Sequence, residues 1–166
     1  AEPGDIIRLT SGTYNLEDSL SLDVDNVQIE GEGMTQTILN FKNQKSGAQG
    51  LSVTSDNVTL QDFSVQDAKG DAIKVKGVTN IKFLRVKTEW TEGTKSENGA
   101  YGLYPVESKN VLIDGCVAIG ASDAGIYVGQ SQNIIVRNSR AEFNVAGIEI
   151  ENSYYADVYN NVATNN

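Results

Sequence analysis

Histidine is missing from all 166 residues. This removes the commonest general base and metal ligand and narrows the available chemistry. The one cysteine, Cys116, permits no internal disulfide, and no zinc-ligand spacing surrounds it. Cysteine usage therefore leaves the compartment open. No apolar run approaches the ~18 residues of a membrane-spanning helix. No charged-then-apolar leader opens the chain, so an exported protein of this sequence has lost its leader. Basic residues are few, 13 against 22 acidic ones for a net charge of −9. The basic face that nucleic acid requires is absent. Lys74, Lys76, Lys82, Arg85 and Lys87 fall on different strands and cannot share one surface. The length suits one domain, residues 1–166, with its own core.

What the chain does have is a repeat. Six segments align on a first apolar run: "SLSLDVDNVQI" from Ser19, "GLSVTSDNVTL" from Gly50, "AIKVKGVTNIKF" from Ala72, "GLYPVESKNVLI" from Gly102, "GIYVGQSQNIIV" from Gly125 and "GIEIENSYYADVY" from Gly147. The shortest start-to-start spacings are 22 and 23 residues, and the two longer ones, 31 and 30, carry insertions. Within each unit apolar residues alternate in three short runs. Examples are Ile126/Val128, then Ile134/Val136, then Ser139/Ala141. Alternation this short predicts strands with one buried face. A unit of this size cannot bury that face alone, but wound as one turn of a coil it stacks each strand on its counterpart, about 4.8 Å away. The crossover rule sets the hand. The expected fold is all-β: a right-handed, single-stranded parallel β-helix of about six turns of 22–23 residues, three strands per turn.

Asparagine recurs in two columns. Asn26, Asn57, Asn80, Asn110 and Asn133 begin the second strand and predict a stacked amide ladder. Asn138 and Asn161, with Asp62, Gly115 and Gly31, mark the bend after it, where left-handed backbone is tolerated; Arg85 is the exception. Both columns read as structural, and Cys116 as inert core.

Candidate function falls on the first-strand face. Its outward column is Ser21, Ser52, Lys74, Tyr104, Tyr127 and Glu149. Two insertions, "KNQKSGAQ" and "EWTEGTKSENGAY" (Glu89 to Tyr101), lead into this strand from the same side, and such loops carry function more often than scaffold strands do. The longer one holds the only tryptophan. Aromatics spaced one rung apart among polar groups suit a sugar chain, whose faces stack on rings while hydroxyls take hydrogen bonds. Lys74, Trp90, Glu92, Tyr101, Tyr104, Tyr127 and Glu149 are the candidate substrate-binding residues. The plain alternative makes the tyrosines ordinary outward residues and Trp90 the anchor of its loop. Asp67, Asp71, Glu89 and Glu92 offer a Ca²⁺ site or general acid and base, although no calcium-loop motif is present; the expected cofactor is none.

"PGDIIRLTSGTYNL" and "LSLDVDNVQIEGEGMTQTIL" resemble the opening turns of the pectin-lyase-like right-handed β-helix superfamily. "GDAIKVKG", "ENGAYGLYPV" and "CVAIGASDAGIYVGQSQNIIVRN" resemble bacterial parallel β-helix repeat proteins, a group without assigned activity. The resemblance implies an exported protein, secreted, periplasmic or at the cell surface, and superfamily enzymes are polysaccharide lyases, hydrolases or epimerases. Their signatures do not carry over. Asn-Thr-Asp, Asp-Asp with Gly-His-Gly, Asp-Pro-His-Asp and the arginine-centred lyase motif are all missing. A lyase would have to use Lys74 as base. Two functions stay open: polysaccharide binding, with or without modification, and a non-catalytic structural, surface or self-assembling scaffold. The superfamily's N-terminal helical cap is not seen in "AEPGD", so a fragment of a longer solenoid is expected, with open coil ends able to associate end to end.

Overall fold

The computed structural model describes all 166 residues as a parallel β-solenoid of 18 strands without a helix. Every strand pair is parallel. First strands form a six-stranded sheet, Asp18–Leu22 to Ala146–Glu151, and second and third strands join in a 12-stranded sheet. They join because Val58–Gln66 and Thr79–Glu89 run unbroken through the corner. The six units are preceded by a partial turn, Ile6–Arg8 and Gly12–Asn15, which supplies second and third strands but no first. Those two columns therefore carry seven rungs rather than six.

Register converts alternation into a core. Leu51, Ile73, Leu103 and Ile126 stack in one inward column, and Leu60, Phe83, Ile113 and Val136 in another, none more than 2% exposed. Each buried side chain of this size contributes about 1.5–3 kcal/mol. Outward residues share the same register: Ser21 with Ser52, Ser52 with Lys74, Lys74 with Tyr104, and Tyr127 with Glu149.

The corners are set by left-handed residues. Asn57, Asn80, Asn110 and Asn133 all have φ between 57° and 63° and pass an amide hydrogen bond from rung to rung at 2.6, 2.8 and 3.0 Å. The expected ladder is present from Asn57 to Asn133; Asn26 shares the left-handed backbone but not the amide bonds. Behind it, Ser108, Ser131 and Ser153 form a second ladder of hydroxyl acceptors for backbone N–H groups. After the second strand the left-handed column is Asp62, Arg85, Gly115, Asn138 and Asn160. Three expectations shift here. Gly31 stands opposite Asp62 but is not left-handed; it is close approach, a Cβ meeting Asp62 O at 2.3 Å, that needs a glycine there. Arg85 adopts the same conformation as its neighbours and is held by Asp62 at 2.6 Å. In the last copy the repeat puts Asn161 at the bend and Val162/Thr164 inward, and this is one residue out: Asn160 makes the bend, and Ala163 pairs with Ala141. The cause is local. Tyr155 stands where the earlier rungs have asparagine, so the marker that fixes register is missing.

Candidate functional site

On the first-strand face Tyr101, Tyr104 and Tyr127 form one half-buried cluster. Ring centroids are 4.5 Å apart for Tyr101–Tyr104 and Tyr101–Tyr127, and 5.3 Å for Tyr104–Tyr127. Lys74 holds its ammonium 5.0 Å from the centre of the Tyr104 ring, a cation–π contact. Tyr127 donates its hydroxyl to Glu151, two residues beyond Glu149 on the next rung. Five of the seven predicted residues therefore come together: Lys74, Tyr101, Tyr104, Tyr127 and Glu149.

The other two do not join them. Trp90 is only 5% exposed, part of the core, and donates its indole N–H to the Ala68 carbonyl at 2.8 Å. It offers no free face for stacking and anchors its loop. Glu92 sits with Lys42 at 3.0 Å and Lys95 at 2.5 Å, on the rim of a separate shallow cleft of about 320 Å³. Those two ammonium groups hold its carboxyl down to about 2.

The loop carrying both is stapled across several rungs. Thr91 donates to Asp67, Asn98 donates to the carbonyls of Gly93 and Gly120, and Thr94 reaches Phe143 O at 2.6 Å. Gly99 lies so close to the neighbouring rung that a Cβ would meet Gly70 O at 1.8 Å. The shorter insertion is also fixed: Gln44, buried, donates to Gln49 O at 2.9 Å and accepts from Lys69 N at 3.0 Å. Both insertions are thus held against the coil as compact, fixed segments.

The four carboxylates suggested as calcium ligands do not converge. Asp67 accepts from Thr91, Glu89 pairs with Lys87 at 2.6 Å, Glu92 holds its two lysines, and no group of three acidic or cysteine side chains is placed to share an ion. Asp71 is different. Partial burial raises its pKa, against the pull of nearby Lys74, and its charge acts on the Tyr104 hydroxyl. It belongs to the tyrosine site, as does Asp123, which neighbours the Tyr101 hydroxyl. Both lie just before their first strand, a position whose orientation alternation alone does not set. The phenols are also shifted upward. Burial, then Asp123, moves Tyr101 up to about 12; burial, then the Asp71 charge, raises Tyr104; the bond to Glu151 raises Tyr127. All three stay protonated at neutral pH and serve as stacking and hydrogen-bonding groups, not as bases. Cys116 is fully buried, its thiol pushed up to about 12 by that burial.

Another concavity lies elsewhere. A groove of about 740 Å³ runs over five rungs of the second-strand face, with the asparagine ladder as one wall and Thr59, Lys82, Leu112 and Ile135 along it. Sequence reasoning missed it. These outward residues line up only once the corner between first and second strands is known.

A profile of the right-handed β-helix region matches residues 25–166. The chain belongs to this right-handed β-helix family. A search of curated proteins gives no sequence match. Among solved structures, the β-helix is similar to two mannuronan C-5 epimerase A-modules of Azotobacter vinelandii. That of AlgE6 is 19% identical with TM-score 0.69, and that of AlgE4 is 16% identical with TM-score 0.71. A rhamnogalacturonan lyase is 12% identical with TM-score 0.65 over 97% of this chain and 60% of its own. The β-helix is covered to 96% and 98% by the epimerase modules but spans only 49% and 60% of their length. At these identities the likeness establishes the fold. No helix is long and apolar enough to cross a membrane.

Proposed function

We propose that this β-helix binds an extended polysaccharide along its first-strand face, across Tyr101, Tyr104 and Tyr127, with Lys74, Asp71, Asp123 and Glu149 as polar flanks. The observation that carries this reading is the tyrosine cluster: three rings in mutual contact on an otherwise polar strand face. Tilted aromatic rings among polar groups suit pyranoses, whose faces pack on rings and whose hydroxyls take hydrogen bonds. The names of the similar structures, epimerase modules and a lyase, support a carbohydrate ligand, and a polysaccharide partner fits secretion or the cell surface. The phenols, held protonated, serve this reading as hydrogen-bonding groups.

A glycan array tests the reading directly. The intact chain should bind extended oligosaccharides, and Tyr104→Ala and Tyr127→Ala should each lower the signal at least fivefold without loss of the β-sheet circular dichroism spectrum. Unchanged binding in both variants would move the site away from this face. A second reading places the polysaccharide in the asparagine-walled groove, a concavity of about 740 Å³. Lys82→Ala with Ile135→Ala would then be the damaging change.

A further inference from the structure

Resting on that reading, we infer a selectivity: the tyrosine face prefers polysaccharides bearing amino groups, takes neutral chains less tightly and rejects uronates. The hydrogen-bond polarity of the face decides this. Tyr127 gives its proton to Glu151, so what its oxygen offers a ligand is lone pairs. Glu149, in register with Tyr127, is exposed and accepts only. Asp123 stands beside Tyr101, and Asp71 beside Tyr104 and Lys74. A ligand meets a row of acceptors and negative charge, which suits hydroxyl and ammonium donors.

A uronate carboxylate, an acceptor with a charge of the same sign, has one cation to meet. That cation is Lys74, and it already lies over the Tyr104 ring. Lys76, the next lysine on the strand, is paired with Glu107 at 3.7 Å. The Lys74 contact also shows what these rings accept. An ammonium group rests 5.0 Å from a ring centre on this surface, the geometry in which aromatic faces attract cations. An amino sugar on the Tyr127 side of the cluster would repeat that contact and gain the carboxylates of Glu149 and Glu151. Because these groups are solvent-accessible, the preference weakens with salt.

Calorimetric titration with length-matched oligomers of β-1,4-glucosamine, glucose and galacturonate at low ionic strength tests the order. The glucosamine oligomer should bind at least tenfold more tightly than the galacturonate oligomer, with glucose between. Glu149→Gln combined with Glu151→Gln should shrink that ratio below threefold. The same charge change made elsewhere, Glu2→Gln with Asp23→Asn, should leave it intact. Galacturonate binding as tight as glucosamine, in a wild-type protein whose binding is lost on Tyr127→Ala, would overturn the selectivity and leave the site standing. Equal shrinkage in both double variants would overturn it too, by reducing the effect to bulk charge. Failure of all three oligomers to bind would overturn the binding site itself.

Discussion

The rings of Tyr101 and Tyr127, on neighbouring rungs, lie with centroids 4.5 Å apart and planes 32° from parallel. The coil alone does not require this. Outward positions on the earlier rungs hold Ser21 and Ser52, which the same backbone accommodates. Aromatic pairs of this geometry contribute about 0.5–1.5 kcal/mol beyond their buried area. Tyr127→Ala should therefore lower stability by roughly 1–2 kcal/mol, too little to unfold the solenoid in a denaturant titration, while binding is lost. A variant that loses binding only because it unfolds would speak against a direct role.

Trp90 should report on the loop and not on ligand. Its burial and its hydrogen bond to Ala68 predict blue-shifted emission, poor quenching by acrylamide and little change when oligosaccharide binds. Gly99→Ala would force a Cβ against the Gly70 carbonyl and, at 2.8 Å, the Trp90 ring. The expected cost is roughly 1–3 kcal/mol, with emission moving to the red as the loop lifts. Strong quenching in the wild type would show that the indole is accessible.

Much of this was legible in the sequence, and the parts that were not share a cause. Alternation with period two fixes which residues of a strand point inward, so the columns Leu51–Ile126 and Leu60–Val136 could be written down directly. The asparagine ladder followed from the recurrence of one residue type at one offset. Three-dimensional placement of corners did not follow. Trp90 was assigned to the ligand because it lies in a long loop, yet how a loop folds back depends on contacts such as Gly99 against Gly70 that no periodicity encodes. Asp71 and Asp123 precede their strands, outside the alternating pattern; Asp71 is legible near this face only as one of four carboxylates, and Asp123 not at all. In the last copy, a tyrosine at the ladder position hid the register.

That tyrosine can be tested. Tyr155 has φ 58° and is 81% exposed, and a bulky residue in the left-handed region costs about 1–2 kcal/mol. Tyr155→Asn relieves the strain and places an amide next to Asn133, extending the ladder by one rung. Thermal stability should rise by about 1 kcal/mol or more. A fall would mean that the Tyr155 ring has a packing role stronger than the strain.

Asp71 makes stability depend on pH in a direction opposite to most carboxylates. Its folded pKa is raised by burial, so the folded state holds the proton more tightly than the unfolded chain. Stability is then greatest at low pH as far as this group is concerned, and falls as pH rises from the ordinary carboxylate value through the raised one. Asp71→Asn removes the penalty. The variant should be more stable than the wild type at neutral pH, and the difference should vanish as pH falls below the ordinary carboxylate range. A constant difference across that window would show that burial of the charge is not the cause.

The seven tyrosines of the chain allow the binding face to be seen directly. Tyr101, Tyr104 and Tyr127 lie on the first-strand face, Tyr155 lines the groove on the second-strand face with Tyr154 and Tyr159 on the same strand, and Tyr14 lies on a third strand. Titrating tyrosine-ring-labelled protein with a bound oligosaccharide and following the ring resonances by NMR separates the two. The account predicts that Tyr101, Tyr104 and Tyr127 shift together along one binding curve while Tyr14 and Tyr155 stay in place. Shifts confined to Tyr155, or no shift in the three clustered rings at saturation, would contradict it.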